Sequence, residues 1–275
     1  MGKIGAVDGQ GGSIIKKLIF AVTIVLALGL VFAVTPSPAQ AEIGIVIMHG
    51  KGGENLGKSP TRILALFLQE KGFIVSAPDM PWQADRIFDK TVEETMAEID
   101  GIVAELKSEG AERIVVAGHS FGANVAIAYG ARREGLAGVI AMALGHIPEI
   151  WSNRFAKDVA KARTMVEAGN GDNRADFNDV NQGKKTTFNM KAKFYLSWYD
   201  PDGQAVMPKN AAILKPGTPL MWIIGELDGM AERGEGYAYA KVPTHSNSKY
   251  EVIGGGHGAT PKKGKGEILK WLKDL

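Results

Sequence analysis

The sequence predicts an α/β protein with a mostly parallel sheet of about six strands and helices on both faces. Short runs of apolar, largely β-branched residues alternate with longer segments whose apolar residues recur at helical spacing. This alternation indicates parallel strands joined by helical crossovers. The predicted strands are apolar almost throughout, which is typical of strands covered on both faces.

The first two strand–helix units begin at Ile43. "IGIVIMHG" predicts a strand, and "SPTRILALFLQEKG" predicts a helix with Ser59 as its cap, proline in its first turn and glycine just past its end. "FIVSAPDM" predicts the second strand. "TVEETMAEIDGIVAELKSEG" predicts an amphipathic helix whose start carries a capping box formed by Thr91 and Glu94.

The later units follow the same order, with one interruption. "RIVVAGHS", "LAGVIAMAL", "PLMWIIGELD" and "KYEVIGGG" predict strands, while "FGANVAIAYGARREG" and "GEILKWLKDL" predict helices. Residues 146–216 break the alternation with a helix-like piece at 150–168 and then a Gly/Asn/Asp-rich polar stretch up to Asn189. Because no repeat or linker is visible, we expect residues 42–275 to form one domain with an insertion at 146–216.

The first forty-one residues have the pattern of an export signal. "KK" precedes the apolar run Leu18–Val34, and "TPSPAQA" follows it with small residues at the positions that a signal peptidase requires. We therefore expect residues 1–41 to be a signal peptide cleaved before Glu42, so that the mature protein is periplasmic or secreted and not membrane-bound. The alternative is an uncleaved membrane anchor, since the run approaches the length of a membrane span.

Composition excludes several classes of function. The chain has 32 basic and 30 acidic residues, and loss of residues 1–41 removes three lysines and one aspartate, which leaves 29 of each. A neutral chain without a basic run lacks the electrostatic footprint of a nucleic-acid-binding protein. The chain has no cysteine, which excludes disulfides, thiolate metal sites and a cysteine nucleophile.

"GHSFG" indicates a nucleophilic serine. Ser120 lies where a predicted strand becomes a predicted helix, and Gly118 and Gly122 leave room for a turn in which side chains at these two positions would clash. This turn would raise the Ser120 hydroxyl above the sheet edge. It would also point the N–H of Phe121 at a reacting carbonyl, at a helix N-terminus that favours negative charge.

A serine nucleophile needs a base and an acid. Of the five histidines, only His257 follows every plausible acid and lies in a glycine-rich loop after the last predicted strand. Asp228, just beyond the end of the preceding strand, is the favoured acid. Its neighbour Glu226 and the earlier Glu149 are the alternatives.

Taken together, the motifs "MHGKGG", "GHSFG", "GELDG" and "GGGHG" resemble, in this order, the oxyanion loop, nucleophile elbow, acid turn and histidine loop of the α/β-hydrolase superfamily. The resemblance covers most of the mature chain. It implies that the second oxyanion donor is the backbone N–H of Lys51 or, failing that, of Gly52. The few residues before Ile43 leave little room for the first antiparallel strands of that family, so we expect a reduced sheet.

The resemblance also implies that the insertion at residues 146–216 caps the pocket, the alternative being a solvated decoration. We expect Trp82, at the same sheet edge as Ser120, to form part of the substrate-binding wall, the alternative being a tryptophan packed on the surface. The asparagine-rich stretch lacks the ligand spacing of a calcium loop, and we expect neither a metal nor a cofactor.

The sequence therefore predicts a serine hydrolase that cleaves a small carboxylic ester through an acyl-enzyme. An amidase or peptidase, or a polyester depolymerase or lipase, would use the same residues. A non-catalytic binding protein on a hydrolase scaffold is the alternative from another class.

Export gives the first testable prediction. Protein recovered from a secreting bacterial host should begin at Glu42, because the peptidase site lies between Ala41 and Glu42. Intact mass spectrometry and N-terminal sequencing would check this. Recovery of a membrane-bound chain that retains residues 1–41 would instead support the anchor.

Overall fold

The computed structural model of the protein describes residues 2, 43–53 and 59–275. Apart from Gly2, the predicted signal peptide lies outside the described residues, and it stays a prediction. Within these residues, no helix has both the length and the apolar character that crossing a membrane requires.

Six parallel strands form the central sheet. The strands in the described chain are β1 (Ile43–Met48), β2 (Ile74–Ser76), β3 (Arg113–Ser120), β4 (Leu136–Leu144), β5 (Arg174–Asn181), β6 (Lys184–Lys191), β7 (Leu220–Gly225) and β8 (Lys249–Ile253). The sheet order is β2-β1-β3-β4-β7-β8, and each of its five pairings is parallel. The predicted α/β class and the six strands of the sheet are confirmed.

Helices cover both faces of the sheet. They are α1 (Pro60–Glu70), α2 (Val92–Ser108), α3 (Phe121–Arg132), α4 (Ser152–Glu167), α5 (Ala192–Tyr199), α6 (Met207–Ala212), α7 (Thr260–Lys263) and α8 (Lys265–Lys273). Alternate residues of a strand point to opposite faces. Thus Ile45 and Ile47 of β1 pack in one apolar cluster with residues of α1 and α8, while Val46 and Met48 pack in another with α2 and α3.

The α2 helix follows its sequence pattern closely. The Thr91 hydroxyl accepts from the Glu94 N–H at 3.2 Å, and the Glu94 carboxylate accepts from the Thr91 N–H at 2.8 Å. This completes the predicted capping box. The apolar residues at helical spacing are all buried: Val92, Met96, Ile99, Val103 and Leu106.

The segment between β4 and β7 contains α4, the hairpin β5–β6, α5 and α6. The helix predicted near residues 150–168 is present as α4. The polar stretch that follows, where the sequence indicated no strand, forms the antiparallel pair β5–β6. Most side chains of this hairpin are exposed or half-buried, so it lacks the alternating apolar residues that mark a strand in a sequence.

Candidate active site

The turn between β3 and α3 places Ser120 in a strained conformation. Its φ is 55° and its ψ is −115°, a conformation that costs a non-glycine residue on the order of 1–3 kcal/mol. A Cβ on Gly118 would lie 2.0 Å from the Gly122 carbonyl oxygen, and a Cβ on Gly122 would lie 2.6 Å from the Met48 carbonyl oxygen. Gly118 is therefore required by its approach to Gly122, as the sequence predicted, and Gly122 by its approach to the end of β1.

Ser120, His257 and Asp228 form a continuous hydrogen-bonded row. The His257 Nε2 atom lies 2.8 Å from the Ser120 Oγ atom, and the His257 Nδ1 atom lies 2.8 Å from the Asp228 Oδ2 atom. Since an ionised carboxylate only accepts, Nδ1 carries the proton and Nε2 is left to accept from the serine hydroxyl. The loops after β3, β7 and β8 thus bring together the three residues that the sequence selected.

The Asp228 carboxylate is held in its ionised form. Only 5% of the residue is exposed, and burial raises the pKa of its carboxyl group. Hydrogen bonds from His257 and from the Met230 N–H outweigh this effect, and the pKa is lowered below its ordinary value. The negative charge facing His257 therefore persists at neutral pH.

The start of α3 and the loop after β1 both lie beside Ser120. Phe121 is the first residue of α3, and its N–H has no partner within the helix. The loop after β1 passes close by, since a Cβ on Gly50 would lie 3.2 Å from the Ser120 Cβ. The Gly52 N–H donates to the Trp82 carbonyl oxygen at 2.9 Å, which leaves Lys51 as the available donor of the two that the sequence offered.

A cavity of about 260 Å³ opens beside Ser120, Asp228 and His257. Part of its wall comes from the segment between β4 and β7. Its lining is mainly apolar and includes Phe121, Leu144, Ile147, Trp151, Val180 and Met230. No cluster of potential metal ligands was found among the described residues.

Comparison with known proteins decides the family. A family model described as the alpha/beta hydrolase family matches residues 45–261. The chain belongs to this family. No curated protein matches the chain significantly.

Solved structures show the same fold at low sequence identity. A structure of the metagenome-derived lipolytic enzymes LipS and LipT is 17% identical with a TM-score of 0.60, and the match covers 85% of this chain and 94% of that one. Monoacylglycerol lipase from Paleococcus ferrophilus is 21% identical with a TM-score of 0.59, covering 84% and 94%. Est1E from Butyrivibrio proteoclasticus with bound ferulic acid is 19% identical with a TM-score of 0.57, covering 87% and 92%.

The alternative acids of this α/β-hydrolase have other surroundings. Glu149 accepts a short hydrogen bond from the Tyr237 hydroxyl, and burial raises the pKa of its carboxyl group. Glu226 is exposed at the end of β7. The carboxylate that contacts His257 is that of Asp228.

Two histidines support the site in ways that the sequence did not indicate. The Nε2–H of His119 donates to the His257 carbonyl oxygen at 3.0 Å. The pKa of His119 is lowered to about 4, mainly by burial and to a smaller extent by the nearby His257. His49 donates to the Gly50 carbonyl oxygen and accepts from the Met80 N–H, so it braces the loop after β1. Only their tertiary contacts reveal these roles.

Trp82 does not line the cavity where the sequence placed it. Its side chain is 1% exposed, packs 4.8 Å from the Phe121 ring between centroids, and donates from Nε1 to the His49 carbonyl oxygen at 2.9 Å. In this hydrolase Trp82 therefore lies behind Phe121, which lines the cavity. Its indole N–H holds it there by donating to the His49 carbonyl oxygen in the loop after β1.

Proposed function

We propose that this protein is a serine hydrolase that cleaves carboxylic esters through an acyl-enzyme on Ser120. The observation that carries this proposal is the pair of 2.8 Å contacts that join Ser120 to His257 and His257 to Asp228. A hydroxyl is a weak nucleophile, and a neutral imidazole at hydrogen-bond distance activates it by taking its proton.

The proposed reaction follows from this geometry. Ser120 attacks the ester carbonyl while His257 Nε2 takes the hydroxyl proton, and Asp228 stabilises the imidazolium. The N–H groups of Phe121 and Lys51 stabilise the oxyanion. His257 then protonates the departing alcohol. Water, activated by the same histidine, releases the acid and regenerates Ser120.

The cavity supports a small substrate with an apolar acyl group. An apolar cavity of about 150 Å³ holds benzene, so roughly 25 Å³ serves each carbon. On that scale the 260 Å³ beside Ser120 holds about ten non-hydrogen atoms. We propose that residues 146–216 cap this cavity, since Ile147, Trp151 and Val180 line it.

The names of several structural neighbours support ester hydrolysis, and one supports the alternative of an amidase or peptidase. They include a monoacylglycerol lipase and a thioesterase domain, but also a proline iminopeptidase from Mycobacterium smegmatis. An amidase or peptidase would use the same three residues. Parallel assays with ester and amide substrates of equal acyl group separate these two activities.

Replacement of the nucleophile is the direct test. Ser120→Ala should retain the fold and lose ester hydrolysis by about 10³-fold or more, because the covalent step is removed. A fluorophosphonate should label wild-type protein at Ser120 alone, as read by peptide mass spectrometry. The exposed Ser246→Ala variant should behave as wild type. Wild-type turnover in Ser120→Ala would refute the assignment, and an inert wild type would favour a binding protein.

The acid is tested by a matched pair of amide substitutions. Asp228→Asn should lower kcat by about 10⁴-fold, because asparagine favours the wrong histidine tautomer. Substrate KM and Tm should change little. Glu149→Gln should remain active, since Glu149 contacts Tyr237 and not His257. If Glu149→Gln instead lost activity and Asp228→Asn kept it, Glu149 would be the residue that orients His257.

Acyl length is tested with p-nitrophenyl esters of two to sixteen carbons. Each methylene buried in the cavity should raise kcat/KM by up to about fourfold, which corresponds to about 0.8 kcal/mol. The gain should end at about eight to ten carbons, where the cavity is full. Trp151→Ala should move the optimum to longer chains. A wild-type optimum at sixteen carbons would contradict the proposed size limit.

A further inference from the structure

A buried ion pair joins the loop after β1 to the hairpin β5–β6. The Lys51 Nζ atom lies 2.7 Å from the Asp179 Oδ1 atom, and the two side chains are 6% and 0% exposed. The Tyr199 hydroxyl donates to the same carboxylate oxygen at 2.6 Å. Two segments 128 residues apart in sequence are therefore joined through charged groups largely removed from water.

The pair lies next to both proposed oxyanion donors. Lys51 itself supplies one N–H, and its ammonium group lies 5.8 Å from the centre of the Phe121 ring, the residue that supplies the other. At the opposite end, Asp179 immediately precedes Val180, which lines the cavity beside Ser120. The contact thus runs from the oxyanion loop to the cavity wall contributed by the inserted segment.

The contribution of a buried ion pair to stability does not by itself explain why this pair is present. Removing two charges from water is costly, and an apolar pair of similar volume often stabilises a fold as well or better. The loop has a reason to need an anchor, because Gly52 and Gly53 follow Lys51 with φ of 83° and 65°. Glycines permit many backbone conformations. Backbone hydrogen bonds of Gly52 to Trp82 and Ala84 hold the loop beyond Lys51, and the Lys51 side chain adds an anchor on the hairpin β5–β6.

Burial disfavours both charges of this pair, and each partner counters the effect of burial on the other. Burial lowers the pKa of the Lys51 ammonium group, and the Asp179 charge opposes that change. Burial raises the pKa of the Asp179 carboxyl group, but Lys51 and the Tyr199 hydroxyl outweigh it, and this pKa is lowered. An uncompensated charge at either position would be strongly disfavoured.

We propose that Lys51 and Asp179 are positioning residues that hold the Lys51 N–H toward the oxyanion, so that the hairpin β5–β6 completes the oxyanion hole. This inference rests on the proposed reaction at Ser120. The inserted segment then contributes to transition-state stabilisation as well as to the cavity wall.

The test compares Lys51→Met and Asp179→Asn with wild type. Both variants keep the backbone N–H but lose the ion pair that anchors it, so kcat should fall by roughly 10- to 100-fold while KM changes little. A trifluoromethyl ketone of matched acyl length forms a tetrahedral oxyanion on the serine. Its affinity should fall by a similar factor, which a general loss of folded protein would not produce.

Two further variants separate positioning from stability. Asp172→Asn removes two exposed ion pairs of the same inserted segment, with Lys191 and Lys193, and should leave kcat unchanged. The double variant Lys51→Met/Asp179→Leu replaces the charges with apolar groups and should stay folded, with a Tm lowered only by the loss of the Tyr199 acceptor, while retaining the loss in kcat. If Asp179→Asn alone does not fold, the double variant still tests whether loss of the ion pair lowers kcat.

Wild-type kcat and inhibitor affinity in Lys51→Met and in the double variant would overturn the inference. Fluorophosphonate labelling of Ser120 in the wild type would then still uphold the proposed function. A wild-type protein that fluorophosphonate does not label would overturn the proposed function, and the positioning role with it.

Discussion

The site depends on the contact of three backbone segments that only glycine permits. Gly118 lets the end of β3 touch the first turn of α3, and Gly122 lets that turn touch the end of β1 at Met48. A fourth segment closes in after β4, where a Cβ on Gly145 would lie 2.7 Å from the Ser120 Oγ atom. This contact sustains the positive φ of Ser120 and brings the loop after β1 beside it.

The sheet then determines which loops can meet. Parallel strands end at one edge, and β7 and β8 are neighbours in the sheet order. Their following loops are joined directly, since the Leu227 N–H donates to the Gly255 carbonyl oxygen at 2.9 Å. Asp228 and His257 extend from these joined loops. Their 2.8 Å contact is therefore held by backbone pairing as well as by charge.

His257 faces an ionised carboxylate, and two other histidines near the cavity are neutral. The ionised Asp228 faces one ring nitrogen. His119, which contacts the His257 backbone, has its pKa lowered to about 4 by burial and by His257 itself. His146, beside Phe121, has its pKa lowered to about 3 by burial and by Lys51. Both histidines are therefore neutral at pH 7.

Local pattern in the sequence was sufficient for the class of fold and for the three residues in the row. The strands β1, β3, β4 and β7 are nearly continuous apolar runs, and the requirement for glycine at position 118 arises within five consecutive residues, whereas Gly122 is required by the approach of β1. Asp228 and His257 could be selected because parallel strands place their carboxyl ends at one edge. These inferences depend on short-range sterics and on periodicity, which a sequence displays directly.

Contacts between distant segments required the tertiary structure. The position of Trp82 behind Phe121 depends on an acceptor at His49, and the choice between Lys51 and Gly52 depends on the hydrogen bond to Trp82. The hairpin β5–β6 is polar because little of it packs inward, so periodicity could not reveal it. The Lys51–Asp179 pair joins residues whose proximity no local pattern records, because burial of opposite charges is decided by how the hairpin β5–β6 packs against the loop after β1.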